Sequence, residues 1–184
     1  MHALDVTLFR WINGLSDACR PVFWFLSEGA KQLWVRIALA VLAAAFIVAG
    51  PRTRRAGILS LIAFPLANGI TDVLKHWLQV LRPCVELAGV QEHGVKFLDS
   101  FGTASAHSAN MAAVAFVMTY YLRWWGAPWI VVAFLTGVSR IYMGLHYPSQ
   151  VVLGWACGLF AAFVVVKTWE AYERGRGRDR TEAA

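Results

Sequence analysis

Five runs of apolar residues along the chain each approach the length of a membrane-spanning helix. They cover residues 32–50, 58–81, 105–122, 127–145 and 150–169. A helix needs about 20 mostly apolar residues to cross a hydrocarbon core of about 30 Å. A helix also satisfies its own backbone hydrogen bonds in lipid. The pattern therefore predicts an all-α fold, a polytopic transmembrane bundle with about five to six spanning helices.

The segment before the first run has a different pattern. Apolar and charged residues alternate over residues 3–27, around an Asn13-Gly14 pair that is typical of a turn. This pattern predicts two short helices at the membrane interface, with a sixth span as the alternative. We divide the chain into interfacial N-terminal helices (1–30), a transmembrane domain (31–170) and a basic tail (171–184). The tail is rich in Gly and Arg, and we expect it to be disordered.

Composition narrows the class of protein. Of the 184 residues, 58% are hydrophobic and only 15% are charged. So little polar surface argues against a soluble enzyme, a disordered chain or a disulfide scaffold. The net charge of +6 is typical of basic cytoplasmic loops in a membrane protein, so we expect no nucleic-acid partner.

The basic residues also predict the orientation. They collect at Arg52, Arg54 and Arg55, at Arg123, and in the tail. With five spans these three places lie on one side, which the positive-inside rule assigns to the cytoplasm. We therefore expect a multi-pass protein of the cytoplasmic (inner) membrane with a cytoplasmic C-terminus.

Polar side chains recur on the opposite, extracytoplasmic side, next to the ends of four predicted spans. They are Lys75, Arg82, Ser105, His107, Arg140 and His146. Lys75 and Arg82 are two helical turns apart, so we expect both on one face of the second span. For Lys75 alone, an ion pair with Asp72 is the alternative.

These residue types suit a phosphate group. Cations hold phosphate oxygens, while imidazoles attack phosphorus or deliver protons. The sequence places no cluster of Asp or Glu beside them, and such carboxylates are what Mg²⁺ prefers. We therefore expect a metal-independent reaction with no cofactor.

The spacing resembles the three-part signature of the type 2 phosphatidic acid phosphatase superfamily, over about residues 58–169. The blocks read Lys75-x6-Arg82-Pro83, Ala104-Ser105-Ala106-His107 and Ser139-Arg140-x5-His146-x3-Gln150. The resemblance implies a helical bundle and a phosphohistidine intermediate.

The resemblance also implies a role for each matching residue. His146 is the nucleophile, and His107 is the general acid that protonates the leaving oxygen. The phosphate oxygens are bound by Lys75, Arg82, Arg140, Ser105 and the backbone near Ala106.

Two positions depart from the family pattern. The second block usually reads Pro-Ser-Gly-His, and the third usually ends in Asp where this chain has Gln150. Glucose-6-phosphatases look similar at that point, with Gln in the same place. A neutral amide orients a histidine but stabilises its charge less than a carboxylate does, so we expect a slower, working enzyme. By the same reasoning Gln150→Glu is expected to retain or raise activity.

The expected activity is hydrolysis of a lipid phosphate or diphosphate at the extracytoplasmic face. In chemical terms the enzyme is a phosphoric monoester or diphosphate hydrolase. Within the resemblance, the chain looks most like undecaprenyl diphosphate phosphatases, so undecaprenyl diphosphate is the preferred substrate, which would link the chain to cell-wall biogenesis. Phosphatidylglycerophosphate, phosphatidate and lipid A phosphate are alternatives. A non-catalytic relative that binds lipid phosphates is a further alternative, motivated by Gln150. The partners are then the lipid substrate and membrane lipids, and the sequence leaves the oligomeric state open.

Overall fold

All regular secondary structure in the described part of the chain is helical. A computed structural model describes residues 2–96 and 100–182, with side chains as far as residue 176. The helices are α1 (His2–Asn13), α2 (Arg20–Glu28), α3 (Leu33–Val48), α4 (Pro51–Leu78), α5 (Pro83–Glu86), α6 (Ala106–Leu122), α7 (Ala127–Tyr142) and α8 (Pro148–Glu182). The predicted all-α class is confirmed.

Each predicted span coincides with one helix, namely α3, α4, α6, α7 or α8. By length and composition alone, two segments of the described chain can cross a membrane, Pro51–Glu86 and Pro148–Arg176. A third is possible if Asp17–Lys31 and α3, which meet at a bend of 75°, form one broken span. Helices α3 and α7 have 16 residues each and α6 has 17. At 1.5 Å per residue these are about 24–26 Å long, somewhat short of a hydrocarbon core.

Helices α4, α6 and α8 pack against one another through small side chains. Small residues let helix backbones approach closely, which is how helices associate when lipid removes most of the hydrophobic driving force. The fully buried alanines of this core are Ala63, Ala67, Ala109, Ala113, Ala161 and Ala162. Large apolar side chains such as Trp77 and Phe160 are exposed on the outside of the bundle, as a lipid-facing surface requires.

Helix α4 ends earlier than the second apolar run. Its C-cap is Gln79, whose φ of 48° is left-handed and cannot continue the helix. Arg82 follows in extended conformation and is the N-cap residue of α5. The prediction that Lys75 and Arg82 share one helix face is therefore wrong, because the helix stops between them.

The N-terminal helices pack against the end of the bundle where α7 ends and α8 begins. Asp5 Oδ1 accepts a hydrogen bond of 2.9 Å from the Ser149 backbone N–H. Asn13 Nδ2 donates one of 2.7 Å to the Tyr142 carbonyl. The second N-terminal helix, α2, lies against α7. The residues before position 30 thus help to surround this end of the bundle.

The tail differs from the disordered segment expected from sequence. Helix α8 continues to Glu182, through most of residues 171–184. Glu170 pairs with Lys167 at 2.9 Å and with Arg174 at 3.9 Å, one helical turn to either side. Glu173 pairs with Arg55 of α4 at 2.6 Å. Pairs at these spacings support a helix that its Gly/Arg composition alone would not favour.

Candidate active site

His146 and Arg82 are in direct contact at one end of the bundle. His146 lies in the turn between α7 and α8, and Arg82 lies between α4 and α5. Arg82 Nη1 is 2.8 Å from His146 Nε2 and also donates to the Leu145 carbonyl at 3.0 Å. Arg82 Nε donates to the Ser100 carbonyl at 2.7 Å, so the guanidinium is held on two sides.

The other ring nitrogen of His146 faces two oxygen acceptors. Nδ1 is 3.1 Å from the Gly102 carbonyl and 3.1 Å from Gln150 Oε1. The Gln150 amide is itself fixed, because Oε1 accepts from the Tyr147 backbone N–H at 3.2 Å and Nε2 donates to the Leu81 carbonyl at 2.8 Å. The fixed amide therefore holds the His146 ring in one orientation.

These contacts determine which nitrogen of His146 carries the proton. An arginine can only donate, so Nε2 accepts from Arg82 and keeps a lone pair. Nδ1 then carries the hydrogen that the Gly102 and Gln150 oxygens accept. Burial lowers the pKa of His146 well below its ordinary value, and the charges of Arg82 and Arg140 lower it further. A neutral ring with an unprotonated Nε2 is the form a nucleophile needs, once Arg82 gives up its hydrogen bond to that nitrogen.

Arg140 is anchored by residues of the N-terminal region. Its Nη1 donates to Ser27 Oγ at 2.5 Å and to Glu28 Oε1 at 3.0 Å. The second carboxylate oxygen of Glu28 accepts from Lys31 Nζ. Sequence reasoning missed Ser27, Glu28 and Lys31, which precede the first apolar run. The sequence feature that could have indicated this anchor is the acidic residue Glu28 at the end of the amphipathic helix α2.

Ser105 and His107 occupy the N-terminus of α6. Ser105 is the N-cap residue, and its Oγ accepts a weak hydrogen bond of 3.4 Å from the Ser108 backbone N–H. The Ser105 N–H donates to the Gln150 carbonyl at 3.0 Å, which ties α6 to α8. His107 follows in the first turn of α6. The departure from Pro-Ser-Gly-His thus leaves the helix cap intact.

Lys75 makes a different contact from the other predicted cations. Its Nζ pairs with Asp72 Oδ1 at 3.0 Å on the same helix, which is the ion-pair alternative considered for this residue. The structure thus brings Arg82, Gln150 and His146 into contact, whereas Lys75 pairs with Asp72 and Arg140 with Ser27 and Glu28.

The donor set of this site suits an anion. Arginines at positions 82 and 140 lie at the same end of the bundle as the backbone N–H groups that open α6. Helix N-termini and guanidinium groups are both good phosphate ligands. Within residues 2–96 and 100–176, no group of three His, Cys, Asp or Glu side chains is placed to hold a metal ion.

Comparison with known proteins identifies the family. Residues 56–174 match the model of the PAP2 superfamily. An undecaprenyl-diphosphatase of Sulfolobus acidocaldarius is 29% identical over 166 residues, covering 89% of this chain and 77% of its own length. Phosphatidylglycerophosphatase B of Bacillus subtilis is 31% identical over 132 residues, covering 65% and 61% respectively.

A solved structure has the same fold. The crystal structure of Aquifex aeolicus LpxE matches with a TM-score of 0.72 at 23% identity, over 89% of this chain and 95% of that one. The family model covers well over half of the chain and includes all three signature blocks. The chain therefore belongs to the PAP2 superfamily and is a membrane phosphatase.

Proposed function

We propose that the chain hydrolyses a lipid phosphate or diphosphate at the extracytoplasmic face, with undecaprenyl diphosphate as the preferred substrate. The observation that carries the chemistry is the state of His146. Its Nε2 lone pair points at Arg82, while Gln150 and Gly102 hold the opposite nitrogen. This contact supports His146 as the nucleophile and Arg82 as a cation that binds the phosphate.

In the first step His146 Nε2 attacks phosphorus, and a P–N bond replaces the P–O bond to the leaving group. Arg82 moves its hydrogen bond from Nε2 to a phosphate oxygen, while Arg140 and the α6 N-terminus take the others. His107 gives a proton to the departing oxygen. The Gln150 and Gly102 oxygens accept the hydrogen on Nδ1 and so stabilise the positive charge that develops on His146.

In the second step water replaces the histidine on phosphorus. His107, now neutral, accepts a proton from the attacking water, and the P–N bond breaks to release inorganic phosphate. The ring of His146 returns to its starting tautomer. The same phosphate-binding groups are used in both steps. His146 and His107 each act once in each step of a turnover.

The substrate preference draws on the relatives. The undecaprenyl-diphosphatase relative covers 89% of this chain at 29% identity, which supports a polyprenyl diphosphate. The phosphatidylglycerophosphatase relative covers 65% and makes phosphatidylglycerophosphate the second candidate. Phosphatidate and lipid A phosphate complete the panel worth testing.

The proposed orientation in the inner membrane draws on the two ends of the bundle. The site lies where α4 ends and α8 begins, whereas the Arg55–Glu173 pair joins the start of α4 to the far part of α8. The basic clusters therefore lie at the end opposite the site. The positive-inside rule then favours a cytoplasmic C-terminus and an extracytoplasmic site.

The experiment that tests the proposal is phosphate release from the four lipids by the purified full chain in detergent. We expect the highest kcat/KM with undecaprenyl diphosphate. His146→Ala should lose at least ~100-fold in rate, because no other group replaces the nucleophile. His76→Ala, an exposed histidine on α4, is the matched control and should keep wild-type activity. Lipid binding without phosphate release by the wild type would instead favour the non-catalytic alternative.

Activity in EDTA tests the metal-independent part of the proposal. The charges offered to the phosphate are the guanidinium groups of Arg82 and Arg140, and these do not dissociate on chelation. We expect the same rate with and without EDTA. Loss of activity on chelation, with recovery on adding Mg²⁺, would contradict it.

A further inference from the structure

Arg140 is held through one nitrogen only, by residues outside the family signature. In the part of the chain that the structure describes, the hydrogen bonds of its guanidinium all leave from Nη1, toward Ser27 and Glu28. The Nε–H is buried and has no hydrogen-bond partner among the residues that the structure describes. The whole side chain is only 3% exposed. One end of the guanidinium is therefore anchored, and an N–H donor beside it is unsatisfied.

We propose that Glu28 is a positioning residue of the phosphatase, which anchors Arg140 by Nη1 so that its Nε side receives a phosphate oxygen. The inference rests on the proposed function, in which Arg140 binds the phosphate. A buried N–H without a partner is costly, and an anion is the ligand that satisfies it best. Glu28 acts on the phosphate through Arg140 and does not touch it.

Both oxygens of Glu28 are engaged, which suits an anchor. Oε1 accepts from Arg140 and from Ser27 Oγ, and Oε2 accepts from Lys31. A carboxylate paired in this way offsets part of the positive charge of the site while no phosphate is bound. Because the anchor and the unsatisfied donor are on different nitrogens, phosphate can bind without displacing Glu28.

The anchor also gives the N-terminal region a chemical role. Glu28 is the last residue of α2, and Lys31 lies in the short turn that follows. Glu28 and Arg140 are 112 positions apart in sequence. Docking of α2 on α7 therefore completes the cradle for the substrate.

Binding of inorganic phosphate, the expected product, tests the inference without requiring turnover. The protein is the purified full chain in detergent, titrated calorimetrically. Glu28→Ala should weaken phosphate binding by about 10-fold or more, the effect of losing a charge-assisted hydrogen bond that orients the ligand's partner. Glu28→Gln keeps an oxygen acceptor for Nη1 and should restore binding to within about 3-fold of wild type.

Glu173→Ala is the matched control, because it breaks a Glu–Arg pair at the opposite end of the bundle. It should bind phosphate as the wild type does. If Glu28→Ala does not fold, Ser27→Ala carries the test, since it removes the 2.5 Å contact to Nη1 and leaves the carboxylate in place. It should weaken binding by several-fold.

The result that overturns the inference is wild-type phosphate affinity in Glu28→Ala or, if that variant does not fold, in Ser27→Ala. Equal weakening in Glu173→Ala also overturns it, because the loss is then a general effect of breaking an ion pair. Failure of the proposed function has a different signature. The wild type would then bind phosphate and respond to Glu28→Ala, yet release none from any lipid phosphate.

Discussion

Gln150 shows how one amide performs two tasks beside His146. Its oxygen accepts from His146 Nδ1, and its nitrogen donates to the Leu81 carbonyl at 2.8 Å. The family's usual aspartate has no donor for such a carbonyl. The glutamine is therefore matched to its surroundings in this chain, and it is more than a weakened substitute for a carboxylate.

The contact with Leu81 changes the expectation for Gln150→Glu. An ionised glutamate would place an oxygen against the Leu81 carbonyl, so two acceptors would face each other. We now expect kcat to fall by about 10-fold at pH 8, since the side chain must turn away from His146. Protonation of the glutamate restores a donor, so the ratio of mutant to wild-type kcat should rise as the pH is lowered toward 5.

Gln150→Leu is the comparison variant, because it removes both the acceptor and the donor. Its kcat should fall by about 10-fold or more at every pH. A glutamate variant that equals the wild type at pH 8 would show that the Leu81 contact is unimportant and would restore the expectation from sequence.

The burial of His146 predicts how the stability of the folded protein depends on pH. Its pKa in the folded protein is lowered by burial, whereas the unfolded chain has the ordinary value of about 6.5. Below that value the unfolded state binds more protons than the folded state, so stability falls as the pH drops from about 6.5 toward the folded-state pKa. His146→Gln removes the group and should flatten this part of the curve. Apparent Tm values of both proteins in detergent, between pH 7.5 and 5.0, provide the measurement. Parallel curves would contradict the prediction.

At the scale of helices, the position of His107 depends on how closely α6 packs on α8. A Cβ atom at Gly154 would lie 2.5 Å from the Ser105 carbonyl oxygen, and one at Gly158 would overlap the Ala109 backbone. Both clashes are with main chain, which cannot rotate away. Glycine at these two positions therefore sets the distance between the two helices.

Gly158→Ala should consequently separate α6 from α8. Overpacking of this kind costs about 1–3 kcal/mol, and the displaced α6 carries His107 away from the site, so both Tm and kcat should fall. Gly69→Ala is the matched control, because a Cβ there meets no atom of the described residues within 4 Å. It should be neutral or slightly stabilising. Equal effects of the two substitutions would argue against a packing role.

At the scale of the whole molecule, the two ends of the bundle differ in charge and chemistry. One end contains the site, and the other contains the basic residues at the start of α4 (52–55), Arg123 and the far part of α8. A reporter fused after residue 184 should be cytoplasmic, and one inserted at Gly94 should be extracytoplasmic. An exposed cysteine labelled from outside at the same place provides an independent check. Finding both reporters on one side would mean that the number of spans is wrong.

Much of this architecture is readable from local sequence. Apolar run length follows from the thickness of the membrane and needs no tertiary information, so each of the five predicted spans coincides with a helix. The signature blocks also identify the family, because the chemistry of phosphate binding restricts which residue types can occupy them. The helix end at Gln79 escaped prediction, since the residues after it remain apolar and hydropathy does not report a left-handed cap.

Contacts between distant parts of the chain required the folded molecule. The Gly102 carbonyl accepts a hydrogen bond from His146 Nδ1. Because it is a backbone group of a glycine, no side chain in the sequence indicates this contact. Glu28 reaches Arg140 across 112 positions of sequence. Residue type and spacing therefore determine which groups the chain offers, because these are properties of short segments. The partners of those groups depend on the packing of α2, α6, α7 and α8, since only packing brings distant segments within hydrogen-bond distance.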